Sequence, residues 1–153
     1  MRKSDTEYVF KVALKDSKRI WRTIAVRGDQ SLEDLHEAIF LAFDRSDPHL
    51  YSFYFPSAPR GRKGAPTREY TSAFVLEDAG PIEGREKHDA AKTRMNELHL
   101  KVGERFEYLF DYGDYWLHEV DVHEIRPVVV GAVRPAVLEK HGRSPPQYTQ
   151  SEE

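Results

Sequence analysis

Two aspartates and a histidine lie close together in the second half of the sequence. Asp111 and Asp114 are followed by His118, so that three side chains able to bind metal fall within a short segment. Carboxylate oxygens and imidazole nitrogens are ligands for hard or borderline divalent cations. The segment therefore raises the hypothesis of a metal-dependent hydrolase or nuclease. Imidazoles elsewhere that could complete the ligand set are those of His36, His49 and His123.

The same residues also have a purely structural interpretation. Asp111-Tyr112-Gly113-Asp114 is typical of a tight turn, in which an aspartate accepts hydrogen bonds from nearby backbone amides. Asp111 would then cap the turn and Asp114 would mirror it, while Trp116 and His118 would face the core. We favour this interpretation, because the spacing alone does not define a metal site. It predicts no catalytic residue and no cofactor. We call the following residues the candidate functional hairpin: Asp111, Gly113, Asp114, Trp116 and His118.

The most basic stretch of the chain is Arg60-Gly61-Arg62-Lys63, in a segment whose prolines and glycines predict a loop. An Arg-Gly-Arg stretch can enter the narrow minor groove of A·T-rich DNA, which makes Arg60, Arg62 and Lys63 candidate nucleic-acid contacts. The charge of the whole chain opposes this hypothesis, since the net charge is −3. Nucleic-acid binders normally present a strongly basic face. A solvated loop is therefore the favoured interpretation.

The composition excludes several classes of function. The chain has no cysteine, which excludes disulfides, thiolate metal sites and cysteine nucleophiles. The sequence patterns of serine hydrolases and of phosphate-binding loops are missing as well. No apolar run is long enough for a membrane helix or a signal peptide, so we expect a cytoplasmic protein without membrane contact. The length of 153 residues fits one domain. We predict that this domain covers residues 1–138 and that residues 139–153 form an extended polar tail.

Apolar periodicity predicts the elements of the first third of the chain. Residues 8–14 and 20–26 alternate between apolar and polar types and are joined by a short turn, which predicts an antiparallel hairpin. The apolar residues of segment 32–43 recur at helical spacing, so we expect an amphipathic helix that packs on this hairpin. Ser31 is a good N-cap for the helix, and Asp34 occupies the capping-box position.

Several strands are predicted further along the chain. Residues 49–55 are rich in aromatic side chains, and residues 128–130 are three consecutive valines. Residues 106–110 and 115–122 flank the turn of the candidate functional hairpin. Gly113 should have a positive φ, because a two-residue connection requires one. The predicted fold class is α+β: an N-terminal β-hairpin and one amphipathic helix packed on a mixed, mainly antiparallel sheet. A β-grasp-like arrangement is the alternative.

A resemblance to a known family rests on several of these segments. The segment FEYLFDYGDYWLHEVDV resembles the hairpin signature of the Ri-plasmid ORF-three-like family, whose domains occur on plasmids, in insertion elements and in many prokaryotic genomes. Further matches follow the family's order at residues 20–22, 32–39 and 49–53. The family is largely uncharacterised. The resemblance implies a non-catalytic interaction or accessory module of a mobile-element or regulatory system, with a protein partner. The oligomeric state stays open.

Overall fold

The computed structural model describes residues 5–56, 67–79 and 86–147, which fold into strands and short helices. The strands in this part of the chain are β1 (Thr6–Leu14), β2 (Ser17–Arg27), β3 (Tyr51–Pro56), β4 (Thr67–Thr71), β5 (Glu86–Asp89), β6 (Arg105–Phe110), β7 (Trp116–Pro127) and β8 (Ala136–His141). The α-helices are α1 (Leu32–Ala42) and α2 (Ala73–Ala79), and 3₁₀ turns lie at Ala90–Lys92 and Met95–Glu97. None of these helices is long and apolar enough to cross a membrane.

All eight strands belong to one sheet, in the order β5-β4-β3-β6-β7-β1-β2-β8. Strands β4 and β5 run parallel, and the other neighbouring pairs are antiparallel. Strands make up 48% of the structure and helices 18%, so the molecule is largely sheet. The predicted α+β class, with its β-grasp-like alternative, is therefore wrong. The prediction gave too much weight to one clear helix, because β4, β5 and β8 carry little apolar periodicity.

The N-terminal hairpin forms because β1 and β2 each have an apolar face. In β1, Tyr8, Phe10, Val12 and Leu14 are all buried on the side that faces the core. Strand β2 pairs with β1 in antiparallel register. The segment predicted as a hairpin from periodicity is thus a hairpin in the structure.

At both ends of helix α1, backbone groups without a partner inside the helix form hydrogen bonds with nearby side chains. The Ser31 side chain accepts a hydrogen bond from the amide of Asp34, and the Asp34 carboxylate accepts one from the amide of Ser31. This reciprocal capping box is the one that the sequence predicts. At the other end, Nε of the buried Arg22 donates to the carbonyl of Ala42 at 2.8 Å. The helix is therefore capped by its own residues at the start and held to β2 at the end.

The core lies between α1, the 3₁₀ turns and one face of the sheet. It is rich in aromatic side chains because β3 and β6, which pair side by side, both direct alternate aromatic residues towards α1. The ring of Phe53 lies 4.8 Å from that of Tyr108, and the ring of Phe55 lies 4.2 Å from that of Phe106. Such ring pairs contribute about 0.5–1.5 kcal/mol each beyond the area that they bury.

The last part of the sheet differs from the sequence prediction. Residues 128–130, predicted as a strand, lie outside the sheet, and Val129 and Val130 are exposed. Consecutive β-branched residues favour a strand locally, but no strand in the described part of the chain pairs with them. Strand β8 forms further along and pairs with β2. Its sequence, AVLEKH, is too short and too polar to signal a strand.

Among the glycines that the structure describes, Gly142, directly after β8, has the strongest conformational requirement. Its φ is +81°, and an added Cβ would lie 3.0 Å from the carbonyl oxygen of Arg19 and 3.1 Å from Cα of Ile20. We expect Gly142→Ala to lower the free energy of unfolding by about 1–3 kcal/mol, measured by urea denaturation. Gly113→Ala is the control, because a Cβ there meets only Asp111 Oδ1 at 3.4 Å. Equal losses in the two variants would contradict the prediction.

Candidate functional site

A short loop, residues 111–115, joins β6 to β7 at the predicted hairpin. Its first and last residues, Asp111 (φ 67°) and Tyr115 (φ 60°), both adopt the left-handed conformation. The Asp111 carboxylate is buried, and its Oδ1 accepts hydrogen bonds from the amides of Gly113 at 3.0 Å and Asp114 at 3.2 Å. The Asp111 amide donates to the carbonyl of Leu50, the residue directly before β3. Asp111 thus holds the loop in shape with its own side chain.

The predicted positive φ at Gly113 is wrong. The prediction assumed a two-residue turn, whereas the ladder between the strands ends at the pair Phe110–Trp116 and leaves residues 111–115 unpaired. In this longer loop the left-handed conformations fall on Asp111 and Tyr115 instead. Aspartate tolerates that conformation better than most residues because its side chain bonds to the local backbone.

The metal ligands suggested by the sequence do not assemble in the part of the chain that the structure describes. Asp114 is exposed in the loop, whereas His118 is fully buried in the core. The imidazole of His49 lies 3.5 Å from the Asp111 carboxylate, but no third ligand joins this pair. Among residues 5–56, 67–79 and 86–147, no group of three or more His, Asp or Glu side chains is placed to hold a metal ion. The basic stretch with Arg60, Arg62 and Lys63 lies outside the described residues.

His118 is the one titratable residue of the candidate hairpin that reaches the core. Its Nε2 lies 2.8 Å from Nη2 of Arg45, and its Nδ1 lies 3.1 Å from the carbonyl oxygen of Tyr108. A guanidinium can only donate, so Nε2 must accept from Arg45 and Nδ1 must carry the proton that it donates to Tyr108. Burial, with the nearby charge of Arg45, lowers the pKa of His118 to about 3. The ring is therefore neutral at physiological pH.

Arg45 is the central residue of this region, and the sequence analysis missed it. It follows α1, its residue surface is only 7% exposed, and its guanidinium lies 5.0–5.6 Å from three aromatic ring centroids. These rings belong to Phe43, Phe110 and Trp116. Burial lowers the pKa of Arg45 to about 10, so the side chain stays charged at neutral pH. A cation held against aromatic faces gains cation–π attraction.

A second histidine extends the polar cluster towards α1. Nδ1 of His36 lies 2.6 Å from the hydroxyl of Tyr108, and the His36 ring stacks on that of Tyr51 at 3.6 Å. Burial and the charge of Arg45 lower the pKa of His36 to about 3, and burial raises the pKa of Tyr108. We call the following residues the buried polar cluster: His36, Arg45, Tyr51, Tyr108, Trp116 and His118. All its titratable groups except Arg45 are therefore neutral at physiological pH.

Three polar atoms of the buried polar cluster have no hydrogen-bond partner among the described residues. They are Nη1 of Arg45, Nε1 of Trp116 and the hydroxyl of Tyr51. Buried polar atoms are normally paired, so a concentration of unpaired ones in one cluster is unusual. Of the sequence-predicted residues, Trp116 and His118 thus join the buried polar cluster, whereas Asp111, Gly113 and Asp114 form the loop beside it.

The chain is similar to known proteins over most of its length. The family model described as plasmid pRiA4b ORF-3-like protein matches residues 6–150, nearly the whole chain. The chain belongs to this family. The resemblance inferred from the hairpin motif is thereby confirmed. The chain is also similar to uncharacterised protein y4hQ of Sinorhizobium fredii, with which it is 27% identical over 128 residues. The match covers 84% of this chain and 58% of y4hQ, so the chain spans little more than half of that relative's length.

A solved structure shares the ORF-3-like fold. The crystal structure of a protein of unknown function from Methanosarcina mazei Go1 matches with a TM-score of 0.73 at 22% sequence identity. The match covers 93% of this chain and 72% of the archaeal one. At this level of identity the likeness extends to the fold alone. The names of these relatives state no reaction, ligand or partner, so function has to be argued from the residues of this chain.

Proposed function

We propose that this ORF-3-like chain is a non-catalytic interaction module that binds a protein partner in the cytoplasm. One observation carries the proposal: the groups best suited to catalysis are used to build the structure. The Asp111 carboxylate binds the amides of its own loop, and His118 is buried, neutral and bonded on both ring nitrogens. A general base needs access to its substrate and a pKa near the working pH, and His118 has neither.

The plasmid origin in the family's name supports an accessory role in a mobile-element or regulatory system. In such a role the chain would present a rigid surface, and its function would depend on the protein partner that it binds rather than on a reaction that it catalyses. The large sheet suits this, because paired strands such as β6 and β7 fix both ends of the loop 111–115. The competing hypothesis is a metal-dependent hydrolase or nuclease that uses Asp111, Asp114 and His118.

Thermal unfolding in the presence of divalent cations separates the two hypotheses. A ligand that binds only the folded state raises its melting temperature by mass action. For an interaction module we expect no rise with millimolar Mn²⁺ or Mg²⁺, and Asp114→Asn should behave as the native chain does. Asp16→Asn, in the exposed turn between β1 and β2, controls for non-specific effects of surface charge.

The outcome that would favour the enzyme is specific. It is a metal-dependent rise in melting temperature that Asp114→Asn abolishes and Asp16→Asn retains. Cleavage of plasmid DNA or of a phosphodiester substrate with Mn²⁺, lost in the same variant, would point the same way. Either result would overturn the proposed module.

A further inference from the structure

The guanidinium of Arg45 is a buried charge with no carboxylate partner in the described part of the chain. Arg45 forms none of the ion pairs among those residues, and the one hydrogen-bonding contact of its guanidinium there is with the neutral His118. Buried charges are normally paired, because transfer from water removes their hydration. Arg45 is therefore a buried charge that no carboxylate among the described residues balances.

Another buried arginine shows what a structural guanidinium looks like in this fold. Arg22 is 2% exposed, and its Nε donates to the carbonyl of Ala42 while its Nη1 lies within hydrogen-bonding distance of three further carbonyls. No side-chain nitrogen of Arg22 is buried without a partner. Arg45, by contrast, has an Nη1 that is buried and unpaired. The difference indicates that Nη1 of Arg45 can donate a hydrogen bond to a group that is not among the described residues.

A second unpaired donor lies beside Arg45. The indole Nε1 of Trp116 has no partner among the described residues, and Cζ of Arg45 lies 5.6 Å from the centre of the Trp116 ring. An indole nitrogen can only donate, as can a guanidinium, so both atoms require an acceptor. Two neighbouring donors, one of which carries a positive charge, are complementary to a small, singly charged group with two acceptor oxygens.

We propose that Arg45 and Trp116 form a binding site for a carboxylate group of a ligand. This inference rests on the proposed function, because it names the chemistry by which the module would recognise its partner. One carboxylate oxygen would accept from Nη1 of Arg45 and the other from Nε1 of Trp116. A phosphate fits less well, because its further oxygens and larger hydration shell would face the rings of Phe43 and Phe110.

Access to the site requires a local movement, since both nitrogen atoms are shielded from solvent. Trp116 is the first residue of β7 and is only partly buried, and it directly follows the loop 111–115. Tyr115, the last residue of that loop, is 59% exposed. Exposing the indole edge and Nη1 together requires displacement of this loop, which breaks the backbone bond from Asp111 to Leu50 and the hydrogen bonds of the Tyr112 hydroxyl with Ser52, Thr71 and the Tyr51 carbonyl.

The test uses the fluorescence of Trp116 in the full chain. Trp21→Phe leaves Trp116 as the one tryptophan, since the sequence has two. The chain is titrated with acetate, N-acetylglycinate, phosphate and chloride at constant ionic strength. We expect a saturable change with both carboxylates and none with phosphate or chloride. A tighter response to N-acetylglycinate than to acetate would assign the site to a peptide carboxy terminus, and equal responses would assign it to free carboxylates.

Two variants decide whether Arg45 is responsible. Arg45→Met keeps the length of the side chain without its charge, and we expect it to weaken carboxylate binding at least about tenfold. Arg105→Met is the matched control, because Arg105 forms an exposed ion pair with Asp121 on the sheet, and it should bind as the native chain does. An unchanged response in Arg45→Met, or no saturable response in the native chain, would overturn the inference.

A second measurement keeps the inference testable if Arg45→Met does not fold. The indole N–H resonance of Trp116 in the native chain should shift and saturate with acetate, while that of Trp21 should not. A Trp116 resonance that does not move would overturn the site. The divalent-cation experiment is independent of this one, so failure of the carboxylate site and failure of the proposed module give different results.

Discussion

Replacing Glu7 by alanine is expected to lower the free energy of unfolding by about 3–5 kcal/mol, because it breaks a buried ion pair from one side. Glu7 lies in β1 and is fully buried. Its two carboxylate oxygens accept from Nε of Arg126 at 2.7 Å and from Nε of Arg134 at 2.6 Å. Without the carboxylate, the Arg134 side chain, which is only 9% exposed, loses its charge partner.

The effect should extend beyond the local charge. Arg134 lies in the connection between β7 and β8, and its carbonyl accepts a hydrogen bond from the side chain of Gln30. Glu7 therefore holds the connection from which the edge strand β8 starts. We expect Glu7→Ala to increase hydrogen exchange in β8 as well as to lower the unfolding free energy in urea.

Glu124→Ala is the matched control for this prediction. Glu124 contacts the same Arg126, at 3.2 Å, but its side chain is 48% exposed. An exposed ion pair contributes about 0–1 kcal/mol, so the control should stay close to the native stability. Measurement at neutral pH is appropriate because, although burial raises the pKa of Glu7, hydrogen bonds from Arg134 and Arg126 bring it below the ordinary value. Similar losses for the two variants would show that the Glu7 pair contributes no more than a surface pair.

The elements with strong periodicity could be predicted from the sequence. The apolar alternation of β1 and β2, the capping box of α1 and the aromatic residues of β6 and β7 each signal one structure, and the structure contains them. In these segments the local preference of the chain and its burial in the core agree. Where the two agree, each helix or strand can be predicted from its own segment of the sequence.

The overall class could not be predicted in the same way. Strand β8 has mostly exposed side chains, and it is a strand because its backbone pairs with the outer edge of β2. Strand β5 has four residues and is held by parallel pairing to β4. No fully buried side chain is found among the described ones of either strand, so burial does not impose alternation there. Pairing between distant segments therefore determined the sheet content that the α+β prediction missed.

The residues of the candidate site could likewise be predicted only in part. The hairpin motif led to Trp116 and His118, but it gave no sign of Arg45, which contacts His118 across a separation of 73 residues. A charged residue just after a helix is normally exposed, so the sequence alone favours a solvent position for Arg45. Its burial follows from the three aromatic rings that the sheet and the end of α1 bring together.

Lowering the pH from about 7 to about 5 is expected to reduce the free energy of unfolding by about 2 kcal/mol through His118 alone. The pKa of His118 is about 3 in the folded chain, mainly because of burial, against an ordinary value of 6.5. Above the ordinary value the ring is neutral in both states. Between the two values the unfolded chain binds a proton that the folded chain does not, so stability falls as the pH decreases through this window. His36, with a pKa of about 3, contributes in the same direction.

The slope of stability against pH, measured by urea denaturation at several pH values, isolates the contribution of His118. His118→Gln retains an amide oxygen able to accept from Arg45 but has no proton to gain. It should therefore reduce the slope between about pH 6 and about pH 4 by about 1.4 kcal/mol per pH unit, the value for one proton. His123→Gln, an exposed position on the same strand, should keep the native slope. Because the slope is independent of any constant loss of stability, a weakened His118→Gln chain still gives a decisive result. A slope equal to the native one would show that His118 is protonated equally in the folded and unfolded chains, and the neutral, Arg45-bonded state described above would then be wrong.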